Sequence, residues 1–199
     1  MDSPFLEKLG GALDRQDIAC LRFEFPYMIK RRQDGKKRPP DRQPVLLDSF
    51  RDIIALVRSE VGSSCPVLIG GKSMGGRMAS LLASKSGADV DGVVCFGYPF
   101  HAPGKPEKWR IDHFPEMACP FLIVQGTRDP FGKAIEVEER GPIEGVSQLV
   151  WLEGGNHDFQ PLKKQSESQE QLIEQAALAT QTFIDRWVIS QKSPAGEGN

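Results

Sequence analysis

A glycine-rich stretch at residues 70–76 constrains the fold of this 199-residue chain more than any other feature. An apolar run at residues 66–69 precedes it, and a helical pattern at residues 77–82 follows it. Its core has the spacing Gly-x-Ser-x-Gly, centred on Ser73. This spacing is typical of a nucleophile elbow, in which the chain turns sharply from a strand into a helix and exposes the serine hydroxyl.

The geometry of such a turn explains its residue types. Side chains two residues before or after the serine would collide with the turn, so we expect glycine to be required at Gly71 and Gly75. The helix that begins at Met74 would direct its free N–H groups and its positive end towards the group that Ser73 attacks.

Two other interpretations of this stretch stay open. One is a glycine-rich turn that only joins a strand to a helix. The other is a phosphate-binding P-loop, since Lys72 and Ser73 follow a glycine. A P-loop also needs a glycine five residues before that one, and Pro66 occupies the position, with residues 67–69 leaving no room for a loop. The sequence therefore favours the elbow.

Composition indicates one globular domain, which we expect to cover residues 1–190, followed by a disordered tail at 191–199. The net charge of −2 gives no reason to expect nucleic acid or an anionic membrane as partner. No apolar run is long enough for a membrane span, and residues 1–7 lack the features of a signal peptide, so we expect a cytoplasmic protein. The four cysteines are expected to be buried free thiols: Cys20, Cys65, Cys95 and Cys119.

Helical and apolar patterns alternate along the chain. Helices are predicted over residues 4–15, 46–61, 77–87 and 169–189, and strands over residues 18–25, 66–69, 93–98, 121–126 and 148–152. Continuous apolar strands are typical of a parallel sheet that is buried on both faces. The sequence therefore predicts an α/β fold, with a mostly parallel sheet and helices on both faces.

A polar segment at residues 30–44 carries seven basic and two acidic side chains. We predict a loop there. Such a run is usually a solvated surface loop. It could also serve as a lid, or as a patch that steers an anionic substrate.

Three polar residues follow the carboxyl ends of three predicted strands: Ser73, Asp129 and His157. Ligand sites in open α/β sheets form at this edge. A serine hydroxyl needs an imidazole to accept its proton, and the imidazole needs a carboxylate to fix its tautomer. The order serine, aspartate, histidine is that of α/β-hydrolases.

Competing residues fit these roles less well. Asp158 adjoins the histidine in sequence, which makes a productive contact between the two difficult, and Glu153 lies on the same turn. Asp129 could be only the start of an Asp-Pro turn. His101 and His113 lie in loop regions, and we expect His113 to bond locally.

Five stretches carry a resemblance to a known family. They are residues 21–27, 70–77, 97–101, 125–132 and 155–157. The chain resembles the small dienelactone-hydrolase-like α/β-hydrolases, and within them a subfamily with short chains and little or no cap domain. This resemblance implies Ser73 as nucleophile, Asp129 as orienting acid and His157 as base. Dienelactone hydrolases use cysteine as nucleophile, so serine here favours general ester or thioester hydrolysis.

The chain departs from the family at its beginning. The family has three strands before the first helix, and a loop after the third gives one oxyanion amide. This chain opens at that helix, so its strand at 18–25 would be the family's fourth, with a slot beside the elbow strand. An internal methionine taken as the start is the preferred explanation. A truncated paralogue, or direct pairing of the two flanking strands, are the others. Only the Met74 amide is identified as an oxyanion donor.

The sequence thus predicts a serine hydrolase that acts on a small-molecule acyl substrate and needs no metal or organic cofactor. Tyr27, Tyr98 and Phe131 are expected to line the substrate pocket. The alternative is a catalytically inactive module of the same fold that binds a partner or a small ligand.

Overall fold

The computed structural model of the chain describes residues 3–85 and 87–190, and a parallel four-stranded sheet forms its centre. Its strands lie side by side in chain order: β1 (Leu68–Lys72), β2 (Gly92–Phe96), β3 (Phe121–Gly126) and β4 (Gln148–Leu152). The register pairs Lys72 with Phe96 and Phe96 with Val124. The carboxyl ends of the strands therefore lie along one edge.

Two helices cover one face of the sheet. They are α3 (Gln43–Val61) and α4 (Met74–Ala83), and they pack on the strand residues Ile69, Val93, Cys95, Phe121 and Ile123. The predicted helix over residues 46–61 is confirmed, and it ends where Gly62 adopts a φ of 73°.

Two further helices, from opposite ends of the chain, cover the other face. They are α1 (Pro4–Asp14) and α6 (Gln169–Phe183), and they pack on Val94, Phe96, Leu122, Val124 and Leu152. Side-chain bonds define both starts, because Ser3 accepts a hydrogen bond from the Leu6 amide and Ser168 forms a capping box with Gln171. Residues Ile184–Ile189 continue α6 as a π-helical segment. The predicted α/β fold with helices on both faces is confirmed.

The predicted strand at residues 18–25 is wrong. The segment joins α1 to α2 (Pro26–Asp34) without secondary structure, and it does not join the sheet. Its aromatic side chains nevertheless belong to the core, since the rings of Phe23 and Phe25 lie 4.9 and 5.8 Å from that of Phe50. An apolar run forms a strand only where a neighbouring strand accepts its hydrogen bonds. The explanation by direct pairing with the elbow strand is therefore wrong too, and β1 forms one edge of the described sheet.

The predicted basic loop at residues 30–44 is only partly a loop. Helix α2 includes residues 30–34 and ends where Gly35 has a φ of 69°. Helix α3 then begins at Gln43. Pro26 takes one of the first positions of α2, where its missing N–H costs no hydrogen bond. The loop proper thus covers residues 35–42.

The cysteines differ from the expectation that they are buried. Cys95 is buried, Cys119 is half-buried, and Cys20 and Cys65 are exposed, all four as free thiols. A short helix that the sequence patterns did not predict, α5 (Ala134–Arg140), lies between β3 and β4. Over residues 3–85 and 87–190, no helix has the length and apolar character to cross a membrane. The predicted tail at 191–199 lies outside the described residues.

Candidate active site

Ser73 joins the carboxyl end of β1 to the first residue of α4. Its backbone angles are φ 54° and ψ −116°, in a region that residues other than glycine rarely adopt. Its N–H donates to Phe96 O (3.0 Å), and its carbonyl accepts from Arg77 N–H (3.0 Å). Strained backbone of this kind occurs often at functional sites, where the surrounding structure holds it. The chain therefore makes the sharp strand-to-helix turn that the glycine spacing predicts.

The expectation that both flanking glycines are required for space is only half right. A Cβ atom at Gly71 would lie 3.0 Å from the Gly75 carbonyl carbon, whereas a Cβ atom at Gly75 would meet nothing within 4 Å. The second tight position is Gly76, where a Cβ atom would lie 2.6 Å from Gly71 O and 2.8 Å from Cys95 Sγ. The start of α4 therefore packs on the sheet at Gly76, and Gly75 faces open space.

Asp129 follows the carboxyl end of β3, and its side chain is completely buried. Three donors surround the carboxylate. The Phe131 amide donates to Oδ1 (2.9 Å), and Gln125 Nε2 (3.0 Å) and His157 Nδ1 (2.7 Å) both contact Oδ2. A buried carboxylate is tolerated when it is bonded in this way.

His157 follows the carboxyl end of β4, and 19% of its side chain is exposed. Its contact with the Asp129 carboxylate places a proton on Nδ1, which leaves Nε2 of the neutral ring free to accept another proton. Glycine makes room for this loop at two strand ends. A Cβ atom at Gly97 would lie 3.1 Å from His157 O, and a Cβ atom at Gly126 would lie 2.3 Å from Gly155 O.

The structure thus brings Asp129 and His157 together, with Ser73 at the end of another strand of the same edge. Within residues 3–85 and 87–190, no hydrogen bond joins Ser73 Oγ to the His157 ring. Bonds of this kind are often long without substrate and tighten when the reacting complex forms. Met74 is the first residue of α4, where an N–H has no acceptor inside the helix.

The competing carboxylates have other surroundings. Asp158 is 65% exposed and pairs with Lys72 Nζ at 3.2 Å. Glu153 is exposed, and its backbone carbonyl accepts from Gln165. Of these carboxylates, Asp129 is the one that bonds to the His157 ring.

The two other histidines also have partners of their own. The His101 ring is buried between Ala102 O (2.9 Å) and Glu136 Oε2 (3.2 Å). His113 Nε2 lies 2.8 Å from the buried Ser80 hydroxyl. Burial lowers the pKa of His113 to about 4, so its ring is neutral near neutral pH.

The three expected substrate-contact residues are in different environments. The Phe131 ring lies 4.4 Å from the His157 ring, beside the candidate site. Tyr27 is buried at the start of α2, where its amide donates to Asp41. Tyr98 is completely buried, and its hydroxyl donates to Arg110 O at 2.7 Å. Full burial argues against the expected contact between Tyr98 and a substrate.

Two residues of the site were not predicted from the sequence. Gln125 Nε2 contacts Asp129, Tyr98 O and Gly132 O, so this buried amide holds the carboxylate and the loop that carries it. A glutamine within an otherwise apolar strand was the available signal. Lys72 was considered only as part of a P-loop, yet its side chain is directed to the loop that carries His157.

The family model described as alpha/beta hydrolase domain matches residues 1–185 of this chain.

Solved structures give the same result at the level of the fold. An alpha-beta serine hydrolase homologue from Coxiella burnetii is 20% identical with a TM-score of 0.65, over 92% of this chain and 77% of that chain. A dienelactone hydrolase from Anabaena variabilis is 17% identical with a TM-score of 0.69, over 94% and 81%. An a/b serine hydrolase without lid from Xanthomonas campestris is 18% identical with a TM-score of 0.63, over 94% and 75%.

Proposed function

This chain belongs to the alpha/beta hydrolase domain family, and we propose that it is a serine hydrolase that cleaves a carboxylic ester or thioester. The observation that carries the proposal is the 2.7 Å contact between His157 Nδ1 and the buried Asp129 carboxylate. This pair lies at the same sheet edge as the strained Ser73. A buried carboxylate, a part-exposed imidazole and a serine at a sharp turn are the groups that acyl transfer needs.

In the first half of the reaction, Ser73 Oγ attacks the acyl carbonyl carbon, and His157 Nε2 accepts the hydroxyl proton. Asp129 keeps the other ring proton on Nδ1 and stabilises the imidazolium that forms. The tetrahedral intermediate then collapses. The bond to the leaving oxygen or sulfur breaks, and His157 donates the proton to the departing alcohol or thiol. Ser73 is left as an acyl ester.

In the second half, His157 accepts a proton from water, and the hydroxide oxygen attacks the acyl ester. Collapse of this second intermediate releases the carboxylic acid and returns the proton to Ser73 Oγ. The balance of atoms is one ester or thioester and one water in, one acid and one alcohol or thiol out. The three side chains and water are enough for every step.

The developing oxyanion needs hydrogen-bond donors, and the Met74 N–H is the one identified in this chain. It lies at the first position of α4, where the positive end of the helix adds to its effect. Loss of one such donor typically slows turnover by about a hundred- to a thousandfold. If Met74 acts alone, we expect slow turnover, with acylation of Ser73 by a reactive probe as the more sensitive measurement.

Phe131 is the best-supported substrate contact. Its ring lies over the base at 4.4 Å and is only half-buried, so it is available to an acyl or alcohol group bound at the site. We therefore expect a small-molecule substrate with an apolar portion near the scissile bond. Tyr27 is a weaker candidate, because it is buried on α2.

A second candidate function is a catalytically inactive module that binds a small ligand or a partner. The observation that favours it is the single identified oxyanion donor, together with the missing hydrogen bond between Ser73 and His157 in the described part of the chain. Fold alone does not decide between the two, since related folds support both.

A fluorophosphonate probe tests the proposal directly, because it phosphonylates only an activated serine. The measurement compares the purified chain with Ser73→Ala and His157→Ala, with Ser80→Ala as a matched control. Ser80 also lies near a histidine, but it is completely buried.

The proposal predicts labelling of the wild type and of Ser80→Ala, and none of the other two variants. A panel of p-nitrophenyl esters and acyl thioesters would then define the substrate. Labelling that survives Ser73→Ala would refute the assignment of the nucleophile. A folded wild-type chain that the probe does not label would favour the inactive module.

A further inference from the structure

Lys72 is the last residue of β1 and directly precedes Ser73. Its side chain is only 14% exposed, although lysine ammonium groups usually remain in water. Along a strand, alternate side chains share a face, so Lys72 lies on the same face as Leu68, which packs with α1 and α6. The Lys72 ammonium accordingly lies 5.4 Å from the ring centre of Phe5 on α1.

The ammonium group has a partner in the loop that carries the base. Lys72 Nζ lies 3.2 Å from Asp158 Oδ1, and Asp158 directly follows His157. The next residue, Phe159, is completely buried and packs edge to face on Phe5 with the ring centres 5.3 Å apart. The end of β1, the start of α1 and the base loop thus meet in one small cluster around Lys72.

The base loop is also ordered from within. The Asn156 side-chain oxygen accepts hydrogen bonds from the amides of Asp158 and Gln160, each at 2.9 Å. Phe159 has a φ of 58°, a strained conformation that needs support from its surroundings. These bonds fix the shape of the loop, whereas the contact from Lys72 fixes the distance between this loop and the turn at Ser73.

The electrostatics make this contact a constraint on both partners. Burial lowers the pKa of the Lys72 ammonium, and the carboxylates of Asp158 and Asp129 oppose that shift. A buried cation is stable only when it is paired, so the charge on Lys72 draws Asp158 towards the elbow. Asp158 is largely exposed and would otherwise be free to remain in solvent.

We propose that Lys72 is a positioning residue: its ammonium group holds Asp158, and through it the loop that carries His157, at the distance from Ser73 that proton transfer requires. This inference rests on the proposed function, because it assigns a purpose to the separation of Ser73 and His157. Lys72 acts through Asp158 and does not itself touch the reacting atoms.

The test compares Lys72→Met with Lys72→Arg. Methionine keeps much of the length of the side chain and removes the charge, whereas arginine keeps the charge. Lys8→Met is the matched control, because Lys8 pairs with Glu170 at 3.0 Å on helices that lie away from the elbow. Two quantities are measured for each variant: the rate at which the fluorophosphonate probe labels Ser73, and the amide hydrogen exchange of residues 156–160.

We expect Lys72→Met to slow labelling by about ten- to hundredfold, the effect of a misplacement of about 1 Å, and to accelerate exchange in residues 156–160. Lys72→Arg should restore most of both quantities, and Lys8→Met should change neither. For a p-nitrophenyl ester, kcat should fall while KM stays within about twofold, because ground-state binding does not depend on the base.

Labelling of Lys72→Met at the wild-type rate would overturn the inference, whatever the exchange shows. A slower rate with unchanged exchange would also overturn it, because the loop would then not be the link. If the probe does not label the wild type, the proposed function has failed instead. In that case the exchange measurement alone decides whether Lys72 holds the loop.

Discussion

Replacement of Asp129 by asparagine is the most informative single perturbation of this site. Asparagine has the shape of aspartate, so it leaves the packing in place and changes only charge and hydrogen bonding. In the wild type, Oδ2 accepts from both His157 Nδ1 and Gln125 Nε2, and Oδ1 accepts from the Phe131 amide. The asparagine oxygen can keep the bond from Phe131, and its NH₂ group then faces two other donors.

The size of the effect follows from these contacts. An NH₂ group opposite His157 favours the tautomer with the proton on Nε2, which cannot accept the proton of Ser73. Loss of the correct tautomer at such a site lowers kcat by about 10⁴-fold, or about 5 kcal/mol of transition-state stabilisation. Gln125 Oε1 is buried without a partner, so a flip of this amide can relieve the opposing donor, although its bonds to Tyr98 O and Gly132 O would be lost. We therefore expect a loss of stability of about 1–3 kcal/mol.

The assay is the rate of Ser73 labelling, supported by p-nitrophenyl acetate hydrolysis and by urea unfolding of the same preparations. Glu153→Gln is the matched control, since it removes an exposed carboxylate four residues before His157. We expect the control to stay within about twofold of the wild type. An Asp129→Asn variant that is folded and labels within tenfold of the wild type would refute the role assigned to Asp129.

Two further predictions concern stability. Gly76→Ala should destabilise the fold by at least about 1 kcal/mol, because its Cβ atom would lie 2.6 Å from Gly71 O, whereas Gly75→Ala meets nothing within 4 Å and should stabilise α4 by about 0.5–1 kcal/mol; equal effects in urea unfolding would contradict the packing described. His113 has its pKa lowered from 6.5 to about 4, so between these pH values the unfolded chain binds a proton that the folded chain does not. The free energy of unfolding should therefore rise from pH 4 to pH 6.5, and a His113→Gln variant that keeps this rise undiminished would disprove the assignment.

Much of the candidate site was accessible from the sequence because its information is local. Ser73, Asp129 and His157 each follow an apolar strand, and the parallel sheet brings those strand ends to one edge. The 2.7 Å contact between Asp129 and His157 agrees with the choice of Asp129 over Asp158. That choice depended on strand order alone and needed no knowledge of side-chain packing.

What the sequence did not predict depends on neighbours that are distant along the chain. Residues 18–25 have the composition of a strand, but a strand exists only with a partner, and composition does not reveal whether one is present. Gln125 gained its importance from backbone carbonyls that the fold brings to it. The preference for glycine at Gly76 over Gly75 arises from the contact of α4 with Cys95 on β2, which no local motif encodes.

The position of β1 at the edge of the described sheet affects how the protein behaves at high concentration. An edge strand offers a row of N–H and C=O groups to which a strand from another molecule can add. Proteins often protect such edges with charged side chains, yet the ammonium of Lys72 is directed inwards to Asp158. Self-association through this edge would build a new strand beside Ser73. Colloidal stability and access to the nucleophile should therefore vary together as the protein is concentrated.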